Sequence, residues 1–103
     1  MIKIVIKRDV STQKIIEIEV KGHANSAPHG EDLICAAISS IITGGLNNLN
    51  NPKDFNLKLE EGYAYVEAKD SISSHDEVVI ETIITSLKTI EESYGKFIQI
   101  KNL

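Results

Sequence analysis

Two runs of strict alternation near the start of the chain set most of what it can fold into. In residues 2–8, IKIVIKR, Ile2, Ile4 and Ile6 fall on one face of an extended strand, with Lys3 and Lys7 opposite. Residues 14–21, KIIEIEVK, repeat the pattern: Ile16, Ile18 and Val20 point one way, Glu17, Glu19 and Lys21 the other. The polar segment 9–13 between them reads as a turn, so the pair is predicted to be an antiparallel hairpin. A hairpin with one apolar face is barely stable alone. It needs more strands and a covering layer.

The rest of the chain supplies both. Asp32 is a suitable N-cap, and Ile34, Ala37, Ile38, Ile41 and Ile42 follow at helical spacing as one buried face. Gly44 and Gly45 weaken this helix, and the segment 47–52 ends it. Residues 54–60, DFNLKLE, alternate with Phe55, Leu57 and Leu59 predicted inward. Glu61-Gly62 makes a tight turn, and 63–69 returns as a second hairpin partner. Ser74, with Glu77 three residues on, reads as a capping box for a second helix bearing Val79, Ile83, Leu87, Ile90 and Tyr94. Gly95 stops it, and 97–101 closes as a short strand. The order ββαββαβ predicts an α+β fold: a single domain over 1–103, with a largely antiparallel sheet packed against two main helices. Neither a Walker loop nor GxGxxG is present.

Charge and apolar distribution narrow the function classes. The net charge of −4 argues against non-specific nucleic-acid binding, which needs a basic patch, and suits a basic polypeptide partner or simply solubility. No apolar run approaches the ~20 residues of a membrane helix, so no membrane partner is expected. The first residues alternate rather than forming an apolar signal segment, and a single cysteine allows no internal disulfide. Both lead to an expectation of a cytoplasmic protein.

The chemistry concentrates in residues 21–45, KGHANSAPHGEDLICAAISSIITGG. Cys35 falls in the first turn of the predicted helix, where unpaired amides and the helix dipole favour an anion. A free thiol has a pKa of about 8.5, so a nucleophilic cysteine needs such help, and an adjacent imidazole gives more. Gly22-His23, at the end of the second strand, can present that imidazole, and the first-turn amides could hold an oxyanion. Ser39 lies one turn beyond Cys35 on the same face. Asp32 pulls two ways: it fixes the backbone at Cys35, yet a bare carboxylate near sulfur opposes a thiolate. It is therefore expected to face backbone amides or His23. The loop of Ala24, Asn25, Ser26, Ala27, Pro28, His29, Gly30 and Glu31 reads either as a lid over substrate or as a passive crossover.

Other readings stand beside the thiol–imidazole pair. Cys35 could be a small core residue of a non-catalytic ribosome- or protein-binding module, with His23 merely solvated. His23, His29, Asp32 and Cys35 could surround zinc, but their spacing matches no common structural site, and no metal or other cofactor is expected.

Gly22-His23-Ala24, a short loop, and then Gly30-Glu31-Asp32-Leu33-Ile34-Cys35-Ala36-Ala37-Ile38-Ser39 closely resemble the signature of the bacterial ribosomal-processing cysteine proteases, the Prp family. That signature runs GHA, a glycine- or polar-rich loop, then GxDIxCAAxS. The segment 86–94, SLKTIEESY, is similar to the family's second helix, and length and element order extend the resemblance over essentially the whole chain. The resemblance implies Cys35 as nucleophile and His23 as general base, with Asp32, Ser39 and Gly22 in support. It implies a homodimer acting on the precursor of large-subunit ribosomal protein L-twenty-seven, whose short N-terminal extension is cut after an aromatic residue. Such a substrate is basic, in keeping with the charge. The departures, Leu33-Ile34 for the commoner Ile-Val and Pro28-His29 in the loop, leave the dyad intact and bear on loop mobility and substrate fit.

Overall fold

Residues 1–25, 27–28 and 32–103 are described by the structure, a computed structural model. The chain forms β1 (Ile2–Arg8), β2 (Ile15–Lys21), α1 (Leu33–Asn47), a short 3-10 turn (Pro52–Asp54), β3 (Phe55–Glu60), β4 (Tyr63–Ala68), α2 (Ser74–Tyr94) and β5 (Ile98–Asn102). One sheet runs in the order β3-β4-β2-β1-β5. The pairs β1–β2, β2–β4 and β3–β4 are antiparallel, while β5 lies parallel to β1. That one parallel pairing is possible because the long α2 carries the chain back across the sheet. The α+β reading, with its largely antiparallel sheet and two main helices, is the fold observed.

Alternation decides which sheet face is covered. Ile2, Ile4, Ile6, Ile18, Val20, Ala64, Val66 and Ile98 are buried on the helix side. They meet Ile34, Ile38, Ile42 and Leu46 of α1 and Val79, Ile80, Ile83, Ile84 and Leu87 of α2. Burying each such aliphatic side chain is worth roughly 1.5–3 kcal/mol, the dominant favourable term in a domain of this size.

Several local expectations are corrected. Ile16 is only half-buried, and Ile15 packs against the core instead. The β1–β2 register jumps between Lys7↔Glu17 and Arg8↔Ile15, and this bulge exchanges the two faces. Leu57 and Leu59 are 39% and 50% exposed, because β3 is the terminal strand and projects past the helix layer. In α2 the inward stripe is centred on Ile80, Ile83, Ile84 and Leu87, leaving Tyr94 exposed. Its N-cap is Ser73 rather than Ser74: Ser73 Oγ accepts from the Asp76 amide at 3.1 Å. Gly95 caps α2 in the right-handed region, so its conformational freedom is not what ends the helix.

Two features lock the frame. Gly44 and Gly45 do not end α1, which continues to Asn47. A Cβ on Gly45 would fall 2.4 Å from Ile83 Cγ1, so α1 and α2 touch through its bare backbone, whereas Gly44 has nothing within 4 Å. Asp76, fully buried, accepts from the amides of Asn50 (2.8 Å) and Asn51 (3.0 Å) and ties the segment after α1 to the start of α2. Its carboxylate satisfies donors that would otherwise be stranded.

These contacts separate two adjacent glycines. Gly44→Ala is expected to raise stability by about 0.5–1 kcal/mol, the helical Gly-to-Ala gain, while Gly45→Ala is expected to lower it by about 1–3 kcal/mol through overpacking. Urea midpoints at equal m-value check both. Asp76→Ala, which strands two backbone donors, is expected to cost about 2–4 kcal/mol in the same measurement.

Candidate active site

The site is assembled where β2 ends and α1 begins. Gly22 follows Lys21 with φ +101°, a conformation that excludes most side chains. A Cβ there would lie 2.6 Å from the carbonyl oxygen of Met1. Its amide donates to the Gly62 carbonyl at 2.9 Å, joining the end of β2 to the β3–β4 turn. The reversal delivers His23, solvent-exposed and seated against Gly62, and then Ala24, which is buried.

From the other side, α1 brings the thiol. Asp32 is its N-cap and is nearly buried, and Oδ1 accepts from the amides of Ile34 (3.0 Å) and Cys35 (3.1 Å). The Ala36 amide donates to the Asp32 carbonyl at 3.1 Å. Asp32 Oδ1 thus faces backbone amides, one of the two orientations expected of this side chain. The cap therefore already engages two of the first-turn amides expected to face an oxyanion, those of Ile34 and Cys35. Cys35, in the third position of α1, is half-buried: it packs against the edge of the core and faces the site. The Ala24 amide donates to Cys35 Sγ at 3.3 Å. The backbone directly after the imidazole therefore touches the sulfur.

His23, Cys35, Asp32, Ser39, Gly22 and Asn25 line one cavity of about 540 Å³. Its far wall is the segment 59–64, comprising the end of β3, the Glu61-Gly62 turn and the start of β4. Ile38, Ile42 and Leu59 give it an apolar side. Among the described residues, its charged lining consists of the acids Asp32, Glu60 and Glu61, with no lysine or arginine. Tyr63 sends its hydroxyl to Glu19 Oε2 at 2.9 Å, and this bond above all raises the phenol's pKa and keeps it protonated.

Ala27 and Pro28 are exposed and do not line the cavity. Ser26, His29, Gly30 and Glu31 lie outside the described residues, as does most of the segment read as lid or crossover. Of the four residues in the zinc reading, His29 lies outside the described residues; among the described residues no group of three or more His, Cys, Asp or Glu is placed to hold a metal. Sequence reasoning missed the far wall. Glu61-Gly62 was legible only as a turn, and nothing local signals that it faces the end of β2.

Asp32 has a testable double function at this point. Asp32→Ala is expected to cost about 1 kcal/mol as a lost N-cap, while Asp32→Asn, which keeps a capping oxygen, is expected to retain most of that stability. Chemical denaturation of the three proteins checks the order.

Comparison with known proteins adds to this geometry. The family model described as cysteine protease Prp matches residues 1–99. The Bacillus subtilis (strain 168) ribosomal processing cysteine protease Prp is 34% identical over 102 residues, covering 91% of this chain and 90% of that protein. The Staphylococcus aureus (strain Mu50 / ATCC 700699) protein of the same name is 26% identical over 91 residues, covering 84% and 86%. Among solved structures, S. aureus Prp with a covalently linked product peptide shares the fold at a TM-score of 0.88 and 22% identity, each chain covered in full. S. aureus Prp with a substrate peptide matches at a TM-score of 0.82, again at 22% identity and full coverage. No helix among the described residues is long and apolar enough to cross a membrane.

Proposed function

This chain belongs to the Prp family of cysteine proteases, and on that premise we propose that it cleaves its substrate through a Cys35–His23 dyad. The observation that carries this reading is the Ala24 amide on Cys35 Sγ, which brings the histidine-bearing strand end and the thiol-bearing helix start to one cavity.

The steps follow from the groups present. His23 takes the thiol proton and Cys35 Sγ attacks the scissile carbonyl carbon, whose oxygen gains the negative charge. The amides of Ile34 and Cys35 are occupied by Asp32, so the donor we assign to that oxygen is the Ala24 N–H, already directed at the reacting sulfur. Collapse breaks the C–N bond as His23 gives its proton to the leaving amine. A water, deprotonated by the same imidazole, then attacks the thioester, and the acid departs with the sulfur restored. Asp32 acts by fixing the backbone at Cys35, and Ser39 adds a hydroxyl to the same cavity. No cofactor enters any step.

For the substrate we propose the N-terminal extension of large-subunit ribosomal protein L-twenty-seven, cut after an aromatic residue. The B. subtilis and S. aureus relatives are named as ribosomal processing proteases. The Ile38, Ile42 and Leu59 side of the cavity suits an aromatic side chain, and the acidic lining together with the net charge of −4 suits a basic substrate. The reading places the enzyme in the cytoplasm, as a homodimer. The rival, a binding module with a purely structural cysteine, is disfavoured by a sulfur that opens onto the cavity and by the protease family itself.

Purified protein incubated with extended L-twenty-seven tests the proposal by mass spectrometry of the products. Cys35→Ala is expected to lower cleavage by at least about 10³-fold while the fold persists by circular dichroism. Retained cleavage in that variant overturns the dyad.

A further inference from the structure

We propose that Gly62, in the β3–β4 turn, is a positioning residue for the His23 imidazole, its bare α-carbon forming the seat that holds the ring toward Cys35. This rests on the dyad reading and adds to it a residue remote in sequence.

An exposed histidine at the end of a strand has two side-chain torsions to fix before it can act as a base. The three heavy atoms nearest a Cβ built on Gly62, its chain neighbours aside, all belong to that ring: Nε2 at 2.7 Å, Cε1 at 3.1 Å and Cδ2 at 3.5 Å. The ring edge therefore occupies the space a side chain would need. The turn itself is held in place, because the Gly62 carbonyl accepts from the Gly22 amide at 2.9 Å, one residue before His23. Seat and ring thus share one anchor. The turn also lines the same cavity as Cys35.

Gly22 offers an instructive contrast. A Cβ there meets a backbone carbonyl, Met1 O at 2.6 Å, so a substitution would have to move main chain. At Gly62 the obstructing atoms belong to the end of a side chain, which can swing aside. A substitution at Gly62 should consequently spare the fold and displace the base. Gly62 has φ +72°, so the substitution of choice is asparagine, which tolerates the left-handed region better than other side chains.

Gly62→Asn is expected to melt within a few degrees of the parent, to lose on the order of 10²-fold in kcat and to keep KM within about threefold, as for a misplaced catalytic group. Iodoacetamide alkylation of Cys35 at about pH 6.5, measured without substrate, is expected to fall to the rate of His23→Ala. In the double variant it should fall no further, since the seat has nothing left to hold. Gly62→Ala, with the Cβ but no amide to bond the ring, is expected to behave alike. Unchanged kcat overturns the proposal, as does a lower kcat with unchanged alkylation, which would make the turn a substrate contact. An added loss in the double variant, or unfolding of both single variants, overturns it equally. Failure of the dyad itself would be recognised separately, by cleavage that survives Cys35→Ala or His23→Ala.

Discussion

A single sulfur joins the end of β2 to the start of α1, two parts of the chain that also meet in the hydrophobic core. The amide of Ala24, just past β2, donates to the thiol of Cys35, just inside α1. Everything around that contact restricts the two backbones that make it. On one side Gly22 turns the chain beneath the carbonyl of Met1, and on the other Asp32 fixes the first turn of α1 through two amides. The core contributes rigidity from below, since Ile34 and Ile38 on the same helix are buried against the sheet.

The division of labour between helices follows from what each one covers. α1 carries the thiol and is pressed against α2 at Gly45 and Ile83, where the lack of a side chain lets the axes approach. α2 carries none of the residues that line the cavity. Its part is to complete the core, to hold the segment after α1 through Asp76, and to return the chain so that β5 can pair with β1. A buried carboxylate doing this is sensitive to loss because two backbone amides lose their acceptor with it.

Strand and helix order were legible because the apolar periods are clean: period two in IKIVIKR, and three- to four-residue steps from Ile34 onward. The corrections fall where local pattern and tertiary position part company. A bulge exchanged Ile15 for Ile16, and a terminal strand left Leu57 and Leu59 beyond the helices although their alternation is regular. No local signal distinguishes such a strand from a central one. For the site, the histidine, cysteine and capping aspartate could be singled out from residue type and position. The occupied first-turn amides and the wall formed by the β3–β4 turn could not, since both depend on which atoms meet in three dimensions.

The parallel β1–β5 pair sets the two ends of the chain at opposite margins of the sheet. Met1 packs its carbonyl at Gly22 and Ile2 lines the cavity, whereas the amide of Leu103 bonds to Ile6 at the far end of β1. Polypeptide fused ahead of Met1 would emerge at the mouth of the cleft and compete with an incoming peptide for room. An affinity handle appended after Leu103 would leave that approach open, which makes the choice of terminus part of any functional assay.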